Sequence, residues 1–238
     1  YQELDKIWVA KGMTFSAIDY NGKRVSRKYR IGGWKDRLMS WHRLPSQLLR
    51  VGIHHLLPLK NGNLLVVVKR KLYILSSEGK VLNAWSEFKG NKPVHQGVCV
   101  TPEGTIFFGE YVLNPNRDMV VKLWRSVDDG MSFEVVKTFA SAEIRHIHFI
   151  KWDVYEKRLW MGTGDYGEGN RECCLYRSED NGVTWSLIGQ RSQDWRAIAV
   201  CFTEDALLWG TDAGSCSDTV HFIRMDRKTR EIEVVADF

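Results

Sequence analysis

Short runs of apolar and β-branched residues alternate with polar turns along almost the whole chain. Runs of this kind are typical of β-strands, and the 3.6-residue periodicity of helices is nearly absent. The clearest runs are LLVVVKRKLYIL, GVCV, TIFFGEY, VVKLWRS, FEVVKTF, RLWMGTG, CCLYRS, AIAVCF, ALLWGTD, HFIRMD and EIEVVADF. The pattern predicts an all-β fold. The exception is 34–50, where we expect an irregular or short helical connection interrupted by Pro45.

Polar turns recur at intervals of about 50 residues, the length of one four-stranded blade of a β-propeller. They lie at 19–24, 76–81, 126–132, 178–184 and 225–231. Five turns indicate about five blade units. In the clearest unit the predicted strands are, in order, GVCVT, TIFFGEY, VVKLWRS and SFEVVKTF. We therefore expect a single β-propeller domain over 1–238, built from four-stranded antiparallel blades.

Two of these turns share one motif, RSVDDGMSF and RSEDNGVTW, repeated 52 positions apart. Ser and Asp side chains accept hydrogen bonds from the N–H groups of a turn, and Gly adopts positive φ without a steric penalty. The motif resembles the Asp box of bacterial neuraminidase repeats, found in sialidase-like β-propellers. Its residues are Ser126, Asp128, Gly130 and Phe133, and then Ser178, Asp180, Gly182 and Trp185.

The resemblance implies a structural role for the repeated turns, with the ligand site at the opposite end of the blades. It also implies that the five units belong to a six- or seven-bladed propeller, so that the chain is incomplete. We locate the site by aligning the blades on the Gly that ends each second strand. Fourteen residues before Gly109, Gly162 and Gly210 stand His95, His148 and Arg196. We expect these three side chains to lie at similar heights around a central channel.

Long loops after the second strands are expected to reach the same end of the blades, where a rigid scaffold presents binding residues. With Tyr111 as a partner, His95, His148 and Arg196 form the predicted catalytic set. The predicted substrate-binding residues are His55, Glu110, Arg145, His146, Asp165, Tyr166, Trp195 and Asp212.

Cations, carboxylates and aromatic rings in one pocket favour an acidic saccharide as the ligand. Arg196 would neutralise a uronate carboxylate and His95 or His148 would remove a proton, as in polysaccharide lyases, while glycoside hydrolysis is the other enzymatic reading. True sialidase activity is disfavoured, because IHHLLPLKNG has His and Leu where that family has an Arg. The alternative is a non-catalytic propeller that binds a glycan or a protein. No cofactor is required, although His95, His146 and His148 offer an alternative site for a divalent metal.

Composition changes this interpretation little. The net charge is +5, too small to indicate a nucleic-acid partner, although residues 23–50 contain nine Lys and Arg against one Asp and are a candidate docking surface for an anionic partner. Five cysteines without metal spacing argue against a disulfide framework. The sequence shows no signal peptide or membrane-spanning run, so we expect a soluble protein of undetermined location and oligomeric state.

Overall fold

The structure, a computed structural model, describes residues 6–41, 52–90, 92–212 and 220–238. Within these ranges the chain forms five antiparallel sheets, the first with three strands and the others with four. In every sheet, strands adjacent in sequence are hydrogen-bonded neighbours. This confirms the predicted all-β fold of four-stranded antiparallel blades.

Two compact units divide the sheets between them. Unit 1 comprises the described parts of Tyr1–Glu87, Pro102–Gly104 and Val127–Ser132. It contains the first sheet, β1 (Ile7–Lys11), β2 (Thr14–Ile18) and β3 (Tyr29–Arg30), then helix α1 (Trp34–Trp41), and the second sheet, β4 (Ile53–Pro58), β5 (Leu64–Val68), β6 (Lys71–Leu75) and β7 (Val81–Trp85). The single-domain boundary 1–238 remains a prediction.

Unit 2 comprises Phe88–Thr101, Thr105–Ser126 and the described parts of Phe133–Phe238. It contains the third, fourth and fifth sheets of the chain. The third sheet consists of β8 (Val98–Val100), β9 (Ile106–Gly109), β10 (Val121–Ser126) and β11 (Glu134–Phe139), and the fourth consists of β12 (His146–Asp153), β13 (Arg158–Gly164), β14 (Cys174–Ser178) and β15 (Ser186–Gln190). The fifth sheet consists of β16 (Cys201–Phe202), β17 (Ala206–Gly210), β18 (His221–Asp226) and β19 (Ile232–Asp237). Short 3-10 turns lie at Glu168–Asn170 and Gln193–Trp195.

In the described part of unit 2, one hydrophobic core lies between the third and fourth sheets and another between the fourth and fifth. Strand β12 contributes to both, because successive side chains of a strand point to opposite faces. Ile147 and Ile150 pack in the core shared with the third sheet, and Phe149 packs in the core shared with the fifth. A bulge between Ile147 and Phe149 leaves His148 outside the regular pairing with β13. Because of this bulge, Ile147 and Ile150 face the same side although they are three positions apart.

The two repeated turns have the same local geometry. The Asp128 carboxylate accepts from the N–H of Ser132 at 2.9 Å, and that of Asp180 accepts from the N–H of Thr184 at 2.8 Å. Burial opposes ionisation of Asp180, but these bonds and the Thr184 and Ser178 hydroxyl groups lower its pKa to about 2. Gly182 has a φ of +80° and packs against the Phe107 ring of the neighbouring sheet. In each turn, the Asp side chain therefore accepts a hydrogen bond from a backbone N–H of the same turn.

The predicted connection at 34–50 is helical over Trp34–Trp41, and its remainder, with Pro45, lies outside the described residues. The four described cysteines, Cys99, Cys173, Cys174 and Cys201, are free thiols. No helix in the described part of the chain is long and apolar enough to cross a membrane.

Candidate functional site

The candidate site lies at one end of the three sheets of unit 2. Strand β12 begins there with His146, which pairs with Gly164 at the end of β13. Asp165 and Tyr166 follow Gly164 directly, and Asp212 follows the end of β17 by two residues. Antiparallel pairing therefore gathers residues that are far apart in sequence.

Arg196 is the centre of an ion-pair network at this end. Its Nη2 donates to Oδ1 of Asp165 at 2.7 Å and to Oδ2 of Asp212 at 2.8 Å. Arg145 donates from Nη1 to the second oxygen of Asp165. Desolvation opposes ionisation of Asp165, but the N–H of Tyr166 and the two guanidinium groups hold its pKa below the usual value. The two arginines and two aspartates therefore balance to zero net charge.

Tyr166 covers this network on the solvent side. The guanidinium carbon of Arg196 lies 4.1 Å from the centroid of the Tyr166 ring, a cation–π distance. Arg196 is 4% exposed, whereas Tyr166 is 41% exposed. The side chains of Asp212 and Arg145 are 33% and 26% exposed. The surface exposed to solvent is therefore the Tyr166 ring, with Asp212 as a hydrogen-bond acceptor and Arg145 as a donor beside it. We call this group of residues the tyrosine platform; it consists of Tyr166, Arg196, Asp165, Asp212 and Arg145.

His146 and His148 form a buried pair. Their Nε2 atoms lie 3.0 Å apart, and their Nδ1 atoms each lie 3.1 Å from a backbone carbonyl, of Val112 and Ala197 respectively. Two neutral rings carry only two ring protons, so two of these three contacts can be hydrogen bonds at the same time. Burial, followed by the charge of the neighbouring ring, lowers the pKa of His146 to about 3, and burial lowers the pKa of His148 to about 4. The pair is therefore neutral at pH 7 and directed at protein atoms.

Three further predicted residues have internal contacts. Glu110 is fully buried and accepts from the N–H groups of Lys89 and Lys122 and from the indole of Trp124. The Tyr111 ring packs against His146 in a tilted arrangement with the ring centroids 4.1 Å apart, and burial raises the pKa of Tyr111. Trp195 stacks on Trp209 at 5.8 Å, within the core between the fourth and fifth sheets.

One predicted residue of unit 2 does not join this network, and another belongs to unit 1. His95 is exposed before β8, and among the described residues no hydrogen bond or ion pair joins it to His148 or Arg196. His55 is a buried residue of β4 in unit 1. Equal sequence offsets do not give equal positions here, because β8 and β16 begin after His95 and Arg196, whereas β12 includes a bulged His148.

The metal alternative finds no geometric support in the part of the chain that the structure describes. No group of three or more His, Cys, Asp or Glu side chains is placed there to hold an ion. Of the three proposed ligands, only His146 and His148 are in contact.

Sequence reasoning missed two residues that support the site. Glu172, 3% exposed, accepts from Arg117 at 2.5 Å and from the N–H of Arg145 at 2.7 Å. Arg117 also donates to the carbonyl of Tyr166 at 2.7 Å. Together they fix the loop that carries Tyr166. The one sequence signal for them was the position of Glu172 directly before Cys173, which is buried. An unpaired charge is costly at a buried position, so a carboxylate there needs a cationic partner.

No protein-family model and no curated protein sequence matches the chain. Among solved structures, the WD40 domain of Pan2 from Neurospora crassa is similar, with a TM-score of 0.57 and 14% identity. The alignment covers 97% of this chain and 62% of that one, so the chain spans less than two thirds of that domain. A protein of unknown function from Bacteroides caccae aligns with a TM-score of 0.49 and 9% identity, over 98% of this chain and 77% of that one.

The fold is a β-propeller. The match to the WD40 domain, together with the sequentially paired four-stranded sheets, decides this point. At 14% identity the likeness shows the fold alone, and no family model supports the narrower resemblance to sialidase-like propellers.

Proposed function

We propose that this propeller is a non-catalytic binding module and that its tyrosine platform is the ligand site. The observation that carries the proposal is the Tyr166 ring, held over a guanidinium that two carboxylates fix in place. A rigid aromatic surface beside a fixed donor and acceptor binds a ligand without reorganisation, which reduces the entropic cost of association.

Binding is favoured over catalysis because the candidate catalytic groups are engaged by the protein itself. A general base must present a lone pair to the substrate, whereas the ring nitrogens of His148 face Ala197 and His146. A residue that neutralises the carboxylate of a substrate must offer an unpaired cation, whereas Arg196 already forms ion pairs with Asp165 and Asp212. Hydrolase or lyase chemistry would need both groups to change partners.

An uncharged saccharide is the ligand class that the platform supports best. A sugar ring presents C–H groups that pack on an aromatic face and hydroxyl groups that bond to Asp212 and Arg145. The balanced charges of the network provide no excess cation for an acidic sugar. We therefore propose neutral glycans in preference to the uronate- or sialate-containing glycans that the residue types alone suggested.

We also infer that the Asp128 and Asp180 turns have the structural role that the Asp-box resemblance implies. The support is that each Asp accepts bonds from its own turn. A protein partner is the second candidate, and it is favoured by Leu113, which is 66% exposed on the loop that follows β9.

The test is a panel of neutral, uronate-containing and sialate-containing glycans, in which bound protein and new reducing or unsaturated ends are both measured. We expect binding to neutral members, no product, and loss of binding in Arg196→Gln with the fold retained. Turnover of any member would contradict the non-catalytic assignment. Binding confined to acidic members would contradict the charge argument.

A further inference from the structure

Unit 1 contains a cavity that the proposed function does not use. Its volume is about 720 Å³, within the range typical of small-molecule sites. Six of its lining residues carry the argument, three cations and three apolar side chains: Lys11, Lys28, Arg30, Met13, Trp34 and Leu38. We call it the basic cavity.

The cationic wall follows from the register of the first sheet. Lys11 at the end of β1 pairs with Thr14, and Thr14 pairs with Arg30 of β3. Paired residues share a face, so these side chains form a row across three strands. Lys28 precedes Arg30 by two positions and points the same way, whereas Tyr29 between them packs into the core against Phe15.

Helix α1 provides the apolar wall. Trp34 and Leu38 are four positions apart and therefore lie on one helix face, where they are 70% and 61% exposed. Met39 packs into the core of unit 1, and Ser40 lies against Gly12 in the turn between β1 and β2. Asp36 accepts from the N–H of Gly33 at the start of the helix. The helix is thus attached at both ends, and its exposed Trp is presented on a fixed support.

Charge in the basic cavity is unbalanced, unlike that of the tyrosine platform. None of its described lining residues is acidic, and among the described residues no ion pair engages Lys11, Lys28 or Arg30. The nearby Asp36 is paired with Lys69. A fourth cation, Lys35, lies 5.6 Å from the centroid of the Trp34 ring. Three like charges around one concave surface favour an anion.

We propose that the basic cavity binds a small anion that carries an aromatic ring, as an aryl phosphate or a mononucleotide does. The anionic group lies against Arg30, Lys28 and Lys11, and the ring packs on Trp34, Leu38 and Met13. Arg pairs with phosphate oxygens through two parallel N–H donors, and Trp offers a large flat face. The proposal concerns unit 1 alone and goes beyond the saccharide site.

Two other occupants suit the surface less well. An acidic sugar would place hydroxyl groups against Leu38 and Met13, which have no hydrogen-bonding partners to offer. An anionic lipid surface is planar and would engage a protruding face, whereas these side chains line a concavity of about 720 Å³. Of these three classes of ligand, only an aromatic anion makes favourable contacts with both the cationic wall and the apolar wall.

The test is calorimetric titration of the full chain with 1-naphthyl phosphate, inorganic phosphate and 1-naphthol. We expect naphthyl phosphate to bind at least about tenfold more tightly than either fragment, because each fragment uses one wall. We expect Arg30→Gln and Trp34→Ala each to weaken its binding by about tenfold. Trp34→Phe should recover most of the loss.

Lys60→Gln is the matched control for charge, because Lys60 is an exposed cation of unit 1 at the turn between β4 and β5. It should bind naphthyl phosphate like the unmodified chain, and circular dichroism should show the same fold in every variant. The substituted side chains are exposed, so loss of folding is not expected.

Three results would overturn the proposal. These are no measurable binding of naphthyl phosphate, equal weakening by Lys60→Gln and Arg30→Gln, and unchanged binding in Trp34→Ala. Co-sedimentation with vesicles of phosphatidylserine and phosphatidylcholine provides the lipid arm. Vesicle binding that depends on Trp34 in a chain that does not bind naphthyl phosphate would assign the surface to a membrane and reject a small ligand.

Discussion

The buried histidine pair shows how residue identity and protonation are linked in this protein. His148 was predicted as a catalytic residue and His146 as a substrate-binding residue, and an ordinary His titrates near neutral pH. Burial removes that property, since it lowers the pKa of both rings, to about 3 and about 4. The same residues are therefore a source of acid sensitivity.

We expect stability to fall as the pH is lowered from about 6.5 towards 4, because the unfolded chain takes up protons on both rings there and the folded chain does not. Each neutral histidine contributes about 1.4 kcal/mol per pH unit at most, since one pKa unit corresponds to that free energy. Urea unfolding at pH 7, 6 and 5 measures the slope. The double variant His146→Gln/His148→Gln should show a shallower slope, and an unchanged slope would contradict the neutral pair.

A second residue-scale prediction concerns Asp180. Asp180→Ala removes the acceptor for the N–H of Thr184 and should lower the free energy of unfolding by about 1–2 kcal/mol, as for other side-chain caps of backbone N–H groups. Asp180→Asn keeps an acceptor oxygen and should lose less. Chemical denaturation of both variants measures the difference. Equal losses would show that the hydrogen bond is not the source of the effect.

At the scale of elements, the repeated turns connect neighbouring sheets as well as neighbouring strands. Arg125 of β10 donates to the carbonyl of Asn181, which belongs to the turn of the next sheet. A Cβ at Gly182 would lie 2.5 Å from the Phe107 ring. The motif therefore needs Gly for two reasons, a positive φ and a close approach.

Comparison of two glycine substitutions separates those reasons. Gly62 has nearly the same φ as Gly182, +83° against +80°, but no atom lies within 4 Å of a Cβ placed there. Gly62→Ala should cost about 1 kcal/mol from backbone strain, and Gly182→Ala about 1–3 kcal/mol more from overpacking. Thermal unfolding of the two variants measures this. Equal losses would mean that the turn does not pack as described.

At the scale of the whole molecule, local patterns predicted the strands well. The third sheet was predicted as four runs, and its strands Val98–Val100, Ile106–Gly109, Val121–Ser126 and Glu134–Phe139 lie inside them. Alternation and turn chemistry depend on neighbours in sequence, so they can be read from the chain directly.

The site was predicted less completely because it depends on register and long-range pairing. Asp165, Asp212, Arg145 and Arg196 were predicted as site residues, and their types did not reveal that they pair with one another in ion pairs. The bulge at His148 and the exposed position of His95 follow from strand pairing that sequence offsets do not contain. The basic cavity depends on the three-strand row at Lys11 and on the docking of α1.

The central claim is that the tyrosine platform binds a ligand, and a pair of tyrosines tests it most directly. Tyr155 lies at the opposite end of the same sheet, is 51% exposed, and has the buried Arg227 guanidinium 5.3 Å from its ring. It therefore matches Tyr166 in exposure and in its arginine partner. The measurement is the calorimetric Kd of the tightest-binding neutral saccharide of the panel. We predict about tenfold weaker binding in Tyr166→Ala and no change in Tyr155→Ala. Equal affinities in the two variants, or a loss confined to Tyr155→Ala, would contradict the assignment.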